Sequence, residues 1–217
     1  MSERRELEKL MFLFPRKDGL TRDEFFQHYL DVHAPLGMEL TRAMVHYTVN
    51  LRDVGDRAPE GVDAITETWT ASAADFMNPE QSFASPADAQ RLMDDHNSFI
   101  GDPYDVYLVE ERVRKGPARA AQRAGRSSDD KVVIAVSDAA SGGGRAVLDR
   151  FASVAESADV TRYVESRVTS ALATGAFGAR AAFVEVNLVE GSGVAEEIEK
   201  LLGDDGVVYH VKEYVQK

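Results

Sequence analysis

The chain spells the same order of secondary-structure signals twice, and this repetition restricts its fold more than any single motif. In the first half, residues 9–14 (KLMFLF) form an apolar run of strand length, closed by Pro15 and a Lys-Asp-Gly turn. Thr21 with Glu24 three positions later is a capping box that opens a helix. Phe25, Phe26, Tyr29, Leu30 and Val32 form the apolar side of that helix, and Pro35 removes one of its bonds and kinks or interrupts it. Residues 45–51 (VHYTVNL) alternate as a strand, 52–61 are a polar loop, and 62–70 (VDAITETWT) are the next strand. Helical stretches at 72–76 and 85–96 and a closing strand at 105–113 complete the order β-α-β-β-α-β.

The second half repeats it. Residues 131–136 read as a strand, 145–156 as a helix, 160–169 and 181–189 as strands, 194–202 as a helix and 207–215 as the last strand. Between the halves, 114–130 change texture to Gly, Pro, Ala, Arg and Ser, which reads as a linker with a helical turn in its Ala/Arg part. The expected architecture is α+β: two ferredoxin-like modules at 7–115 and 131–217, joined by a linker at 116–130. The repeat lies in element order, with slight residue identity between the halves. Either the halves pack as a pseudo-dimer, or each pairs with its counterpart in a second chain to give a homodimer.

Composition narrows the function. With no cysteine, disulfides, thiolate catalysis and Cys-rich zinc sites are excluded. The net charge of −12 repels phosphate backbones, so nucleic acid is not an expected partner. The charged start, MSERRELEKL, has no signal-peptide core, and no apolar run is long enough for a bilayer, so a cytoplasmic location without membrane contact is the expectation.

Four of the five histidines, His28, His33, His46 and His96, fall in the first half and only His210 in the second. Histidine is the natural proton-transfer group near neutral pH, so acid–base chemistry is expected in the first half. No metal motif is visible: His28 and His33 are five apart, a spacing that does not stack two imidazoles on an α-helical face. Gly142-Gly143-Gly144 lacks the residues of a phosphate loop, and there is no GxSxG elbow. No metal and no cofactor are therefore assigned, with a site assembled in space from His46 and His96, on different elements, left open. At His33, carbonyls freed by the Pro35 kink are placed to fix the imidazole tautomer; at His96, the adjacent Asp94 and Asp95 are expected to raise the pKa. Tyr47 shares a strand face with Val45, Val49 and Leu51, and His46 lies on the opposite face with Thr48 and Asn50. Glu67 and Trp69 share a face of the next strand, as a general base and a substrate platform or as a salt-bridged Glu and a core Trp. His28 reads as a surface residue.

The segment 23–36 (DEFFQHYLDVHAPL) resembles the helix of the EthD group of dimeric α/β-barrel proteins, and VHYTVNL, VDAITETW and residues 93–102 (MDDHNSFIGD) follow in that group's order. The same set is similar to the muconolactone methylisomerase branch, whose helix-end histidine, strand tyrosine and histidine before Phe-Ile-Gly correspond to His33, Tyr47 and His96. The resemblance covers residues 7–115. Two departures stand out: His28-Tyr29 replaces the group's usual aromatic pair, and Thr68 stands where the isomerase branch has a cysteine.

The resemblance implies a small, mostly apolar organic ligand. The leading expectation is a cofactor-independent isomerase, dehydratase or decarboxylase acting on an aromatic, lactone or polyketide-like substrate. His33, His96 and Tyr47 are its catalytic candidates; His46, Glu67 and Trp69 are its substrate-binding candidates. The alternatives are a non-catalytic accessory protein of an ether-degrading monooxygenase system, and an oxygen- or haem-dependent oxidoreductase. Two locations for the cavity are open: between the first sheet and its helices, or within the barrel.

Overall fold

A computed structural model describes residues 7–52, 61–117, 124–127, 129–175 and 177–216. The first half contributes β1 (Glu8–Phe14), α1 (Arg22–His28), a π-helical turn (Tyr29–His33), α2 (Ala34–Leu40), β2 (Met44–Arg52) and β3 (Ala64–Thr70). It continues through α3 (Ala73–Met77), α4 (Pro79–Ser82), α5 (Pro86–Phe99) and β4 (Asp105–Lys115). A two-residue strand, β5 (Gly125–Arg126), precedes β6 (Asp130–Ser137), α6 (Gly143–Phe151), β7 (Val160–Ala173), β8 (Arg180–Leu188), α7 (Val194–Leu202) and β9 (Gly206–Gln216). Most of the loop expected at 52–61, and residues 118–123 and 128 of the expected linker, with its helical turn, lie outside the described residues.

The strands run in the order β2-β3-β1-β4-β7-β8-β6-β9, and β2 also pairs with β9, so the antiparallel sheet closes into a barrel. Closure removes the exposed sheet edges. Strand alternation then sorts side chains into two populations. Leu10, Phe12 and Phe14 of β1 face outward and pack with Phe25, Tyr29 and Phe99 of the covering helices. Val132, Ile134 and Val136 of β6 likewise pack outward against Val147, Phe151 and Ile198 of α6 and α7. A third apolar cluster holds the inward residues Met11, Leu13, Tyr107, Val133, Ala135 and Tyr209.

Much of the rest of the interior is charged. Lys9 bonds Glu67 at 2.9 Å and Glu111 at 2.7 Å and also pairs with Glu185. Lys131 bonds Glu67 at 2.8 Å, Glu185 at 3.1 Å and Glu213 at 2.7 Å. The two lysines and Glu67, Glu185 and Glu213 are buried. Burial alone would depress the Lys9 pKa, but Glu185, Glu67 and Glu111 outweigh it and hold the ammonium above its ordinary range. The strand registers place Lys9 opposite Val109 and Lys131 opposite Val211. Tyr-x-Val-x-Glu therefore occurs in both closing strands, at 107–111 and at 209–213. The inward Lys, Glu, Tyr and Val of the two halves therefore match at these positions, although the outward residues between them do not.

Among the described residues, no helix is long and apolar enough to cross a membrane.

Candidate functional site

The π-helical turn positions the first histidine. Thr21 and Glu24 make the reciprocal capping box that starts α1. Before Pro35 the helix widens: the Ala34 N–H donates to the Tyr29 carbonyl five residues back, while the backbone stays in the right-handed helical region. Pro35 has no N–H to offer, and its ring would crowd the carbonyl four residues earlier in a regular α-helix. The expected interruption is thus a change of helix type. With i→i+5 bonding, side chains five apart come to one side. His28 Nε2 and His33 Nδ1 both reach Asp95 of α5, at 2.8 Å to Oδ1 and 2.7 Å to Oδ2.

Three sequence expectations are corrected here. His28 and His33 do share a side, because the helix between them is not α. His33 is oriented by a carboxylate rather than by a freed backbone carbonyl. His28 is a partner of Asp95, and only about a third of its side chain is exposed (32%). Burial opposes ionisation of Asp95, but the hydrogen bonds and charges of His33 and His28 outweigh it and hold its carboxyl below the ordinary range.

His96 departs from expectation as well. Asp95 turns to His28 and His33, and Asp94 accepts a hydrogen bond from Gln90 at 2.7 Å. The His96 ring lies among Phe14, Tyr104 and His33, with centroid distances of 5.4, 5.3 and 5.7 Å. Burial, then repulsion from His33, push its pKa down from 6.5 to about 4 despite the attraction of Asp95. His96 is a neutral imidazole at pH 7. Its Nε2 is sealed from solvent and has no hydrogen-bond partner among the described residues.

Tyr47 donates to the Tyr29 hydroxyl at 3.3 Å, and Tyr29 is hydrogen-bonded to Thr66 Oγ1 at 2.5 Å. Burial pushes the Tyr47 phenol up to about 12, so it remains a protonated hydrogen-bond donor. A register shift between Met44 and His46 leaves Val45 exposed. Met44, rather than the expected Val45, therefore sits beside Tyr47, as a β-bulge re-aims its neighbours.

His33, Tyr47 and His96 line one cavity of about 200 Å³ between the outward sheet face and α2–α5. Phe12, Phe14, Phe76, Phe83 and Tyr104 supply aromatic wall, and Met77 and Met93 stand exposed at its margin. Thr66 and Thr68 of β3 line it too, so the position where the isomerase branch has a cysteine is a hydroxyl facing the cavity.

The other candidates lie elsewhere. Glu67 and Trp69 alternate with Thr66 and Thr68 and so face the barrel interior. Glu67 is fully buried among Lys9, Lys131 and Asn50, and the Lys9 ammonium lies 4.7 Å from the centroid of the Trp69 ring. His46 meets Trp69 edge-on, with centroids 6.5 Å apart. None of the three lines the cavity. Glu67, Glu111 and Glu185 converge closely enough to hold a cation, and the Lys9 ammonium already bonds all three.

Sequence reasoning missed Asp95 as the anchor of His33, Tyr29 and Thr66 behind Tyr47, and Tyr104 beside His96. Only Asp95 left a readable signal, a carboxylate next to a histidine, and the signal pointed to the wrong histidine.

Residues 17–103 match the family model described as EthD domain. No curated protein matches the sequence. Among solved structures, an anthrone oxidase-like protein superposes with a TM-score of 0.60 at 12% identity, covering 99% of this chain and 93% of its own. A protein from Fusobacterium nucleatum subsp. nucleatum, provisionally described as a monooxygenase, gives 0.51 at 5% identity, covering 99% and 94%. A mutant chlorite dismutase from Candidatus Nitrospira defluvii gives 0.49 at 10% identity, covering 94% and 90%. Residues 17–103 thus match the EthD domain model, within an α+β chain whose closed antiparallel sheet shares the fold of the anthrone oxidase-like protein.

Proposed function

We propose that the cavity is the active site of an acid–base enzyme that moves a proton on a small, mostly apolar carbonyl compound. One observation carries this reading: the His33 imidazole, anchored through Nδ1 by Asp95, stands at an aromatic cavity also lined by His96, whose buried Nε2 has no hydrogen-bond partner among the described residues. With Nδ1 engaged, Nε2 of His33 is the nitrogen left to act as base, and the carboxylate stabilises the imidazolium as it forms. A proton leaves the carbon next to the substrate carbonyl for His33 Nε2. The electron pair of the broken C–H bond moves to the carbonyl oxygen as an enolate. His96, a neutral imidazole, and Tyr47, a phenol that stays protonated, are the hydrogen-bond partners for that oxygen. Return of the proton at another carbon is isomerisation; loss of a leaving group from the enolate is elimination.

The domain reading belongs to the same proposal. Modules at 7–115 and 131–217 form a pseudo-dimer around the barrel, and the matched inward residues support it. The first module carries the site; in the second, Val147, Phe151, Tyr163 and Ile198 pack into one apolar core beneath α6 and α7.

The test is deuterium exchange at the benzylic α-carbon of 2-tetralone, followed by proton NMR with purified protein in deuterium oxide. Exchange above the buffer rate is expected, and His33→Ala lowers it by roughly 10²-fold or more. Exchange no faster than buffer, or unchanged in His33→Ala, refutes the reading. Binding without exchange favours an accessory carrier.

A further inference from the structure

Resting on the cavity assigned above, we infer that its ligand is an uncharged, flat, mostly apolar molecule bearing one hydroxyl, seated with that hydroxyl on His96 Nε2. Three observations select this class. First, none of the described residues lining the cavity is a Lys, Arg, Asp or Glu. The chain is rich in charge, but the buried lysines and glutamates are on the opposite sheet face, and Asp95 is engaged by His28 and His33. An ionised carboxylate entering the cavity would give up water with no cation to replace it, and any charge on His33 is already matched by Asp95. Second, the aromatic wall favours a ring system that packs face or edge against Phe and Tyr. An engineered cavity of about 150 Å³ holds benzene, so a space of about 200 Å³ accommodates one to two fused rings. Met77 and Met93 at the margin are adaptable enough to cover a ligand that extends further. Third, His96 lines the cavity, and its buried Nε2 has no hydrogen-bond partner among the described residues, so a ligand hydroxyl satisfies that nitrogen once the ring turns toward it. In a neutral imidazole this nitrogen donates in one tautomer and accepts in the other, and a hydroxyl satisfies either.

The experiment is isothermal titration calorimetry of the full chain at pH 7 with 2-naphthol and 2-naphthoate, which share a ring system and differ in charge. The naphthol binds, and the naphthoate binds at least about tenfold more weakly. His96→Phe weakens the naphthol by about five- to tenfold. Met93→Lys, at the exposed margin where a charge does not threaten folding, strengthens naphthoate binding several-fold and raises the naphthoate-to-naphthol affinity ratio by at least as much. Equal or tighter binding of the naphthoate by the wild type, binding of neither probe, or no gain for the naphthoate in Met93→Lys overturns the inference. So does full naphthol affinity in a folded His96→Phe. Charge-selective binding without 2-tetralone exchange removes the acid–base reading and keeps this one; exchange without charge selectivity does the reverse.

Discussion

His96 makes the stability of this protein depend on pH below neutrality. Its imidazole titrates near 6.5 in the unfolded chain and at about 4 in the folded one. Between those values the unfolded chain binds the proton and the folded chain does not, so stability falls as pH drops through the window. Each tenfold change in proton affinity is worth about 1.4 kcal/mol. The whole difference therefore amounts to on the order of 3 kcal/mol, full at pH 7 and lost on approaching pH 4. Asp95 acts in the same direction but lower down: its carboxyl is held below the ordinary range, so its contribution disappears only in stronger acid. Urea unfolding at pH 7 and pH 4.5 isolates the histidine. The wild type should lose about 2–3 kcal/mol more than His96→Phe between the two pH values, a differential midpoint shift of about 1 M at a slope of ~2 kcal/mol per molar. At pH 7 the variant should be no less stable, because the substitution removes a buried nitrogen that has no partner. Identical pH dependence in the two proteins would refute the account of His96 as a neutral, desolvated ring.

Two further outcomes follow from the geometry. Asp95→Asn should reduce the rate of 2-tetralone exchange by about 10²-fold or more with little change in KM and a reshaped pH–rate profile, whereas His28→Gln, which leaves the Asp95–His33 bond in place, should cost far less. Glu67→Gln strips a carboxylate from two buried ammonium groups and should destabilise the fold by about 3–5 kcal/mol, read as a fall in Tm of roughly 10 °C.

Much of the architecture was legible because its signals are local. Alternation and apolar runs located the eight barrel strands to within a few residues, and the Thr21–Glu24 box marked the start of α1. His33, Tyr47 and His96 were named from sequence, and folding brings all three to one cavity. What escaped depended on departures from regular geometry or on long-range contacts. Fivefold spacing argues against a shared face only in an α-helix, and the π-turn ahead of Pro35 voids that rule for His28 and His33. Adjacency in sequence assigned Asp95 to His96, but successive helical residues point apart, and the carboxylate meets a different helix. The inward match of the two halves went unread because comparing whole strands mixes it with unmatched outward positions; every second residue of 107–111 and 209–213 carries it.

The barrel's ionic interior has a consequence for how the chain is divided. Lys9 pairs with Glu185 of the distant half and Lys131 with Glu67, so each segment holds a cation that draws one of its three counter-ions from the other. A fragment ending before β6 would carry its ammonium group without Glu185 and would leave Glu67 without Lys131. Its cheapest remedy is a second copy of itself, with Lys9 standing in for Lys131 and Glu67 for Glu185. The covalent join thus removes a dependence on concentration that such a fragment would have, and it lets the outer faces of the two halves diverge while the shared ionic interior is kept.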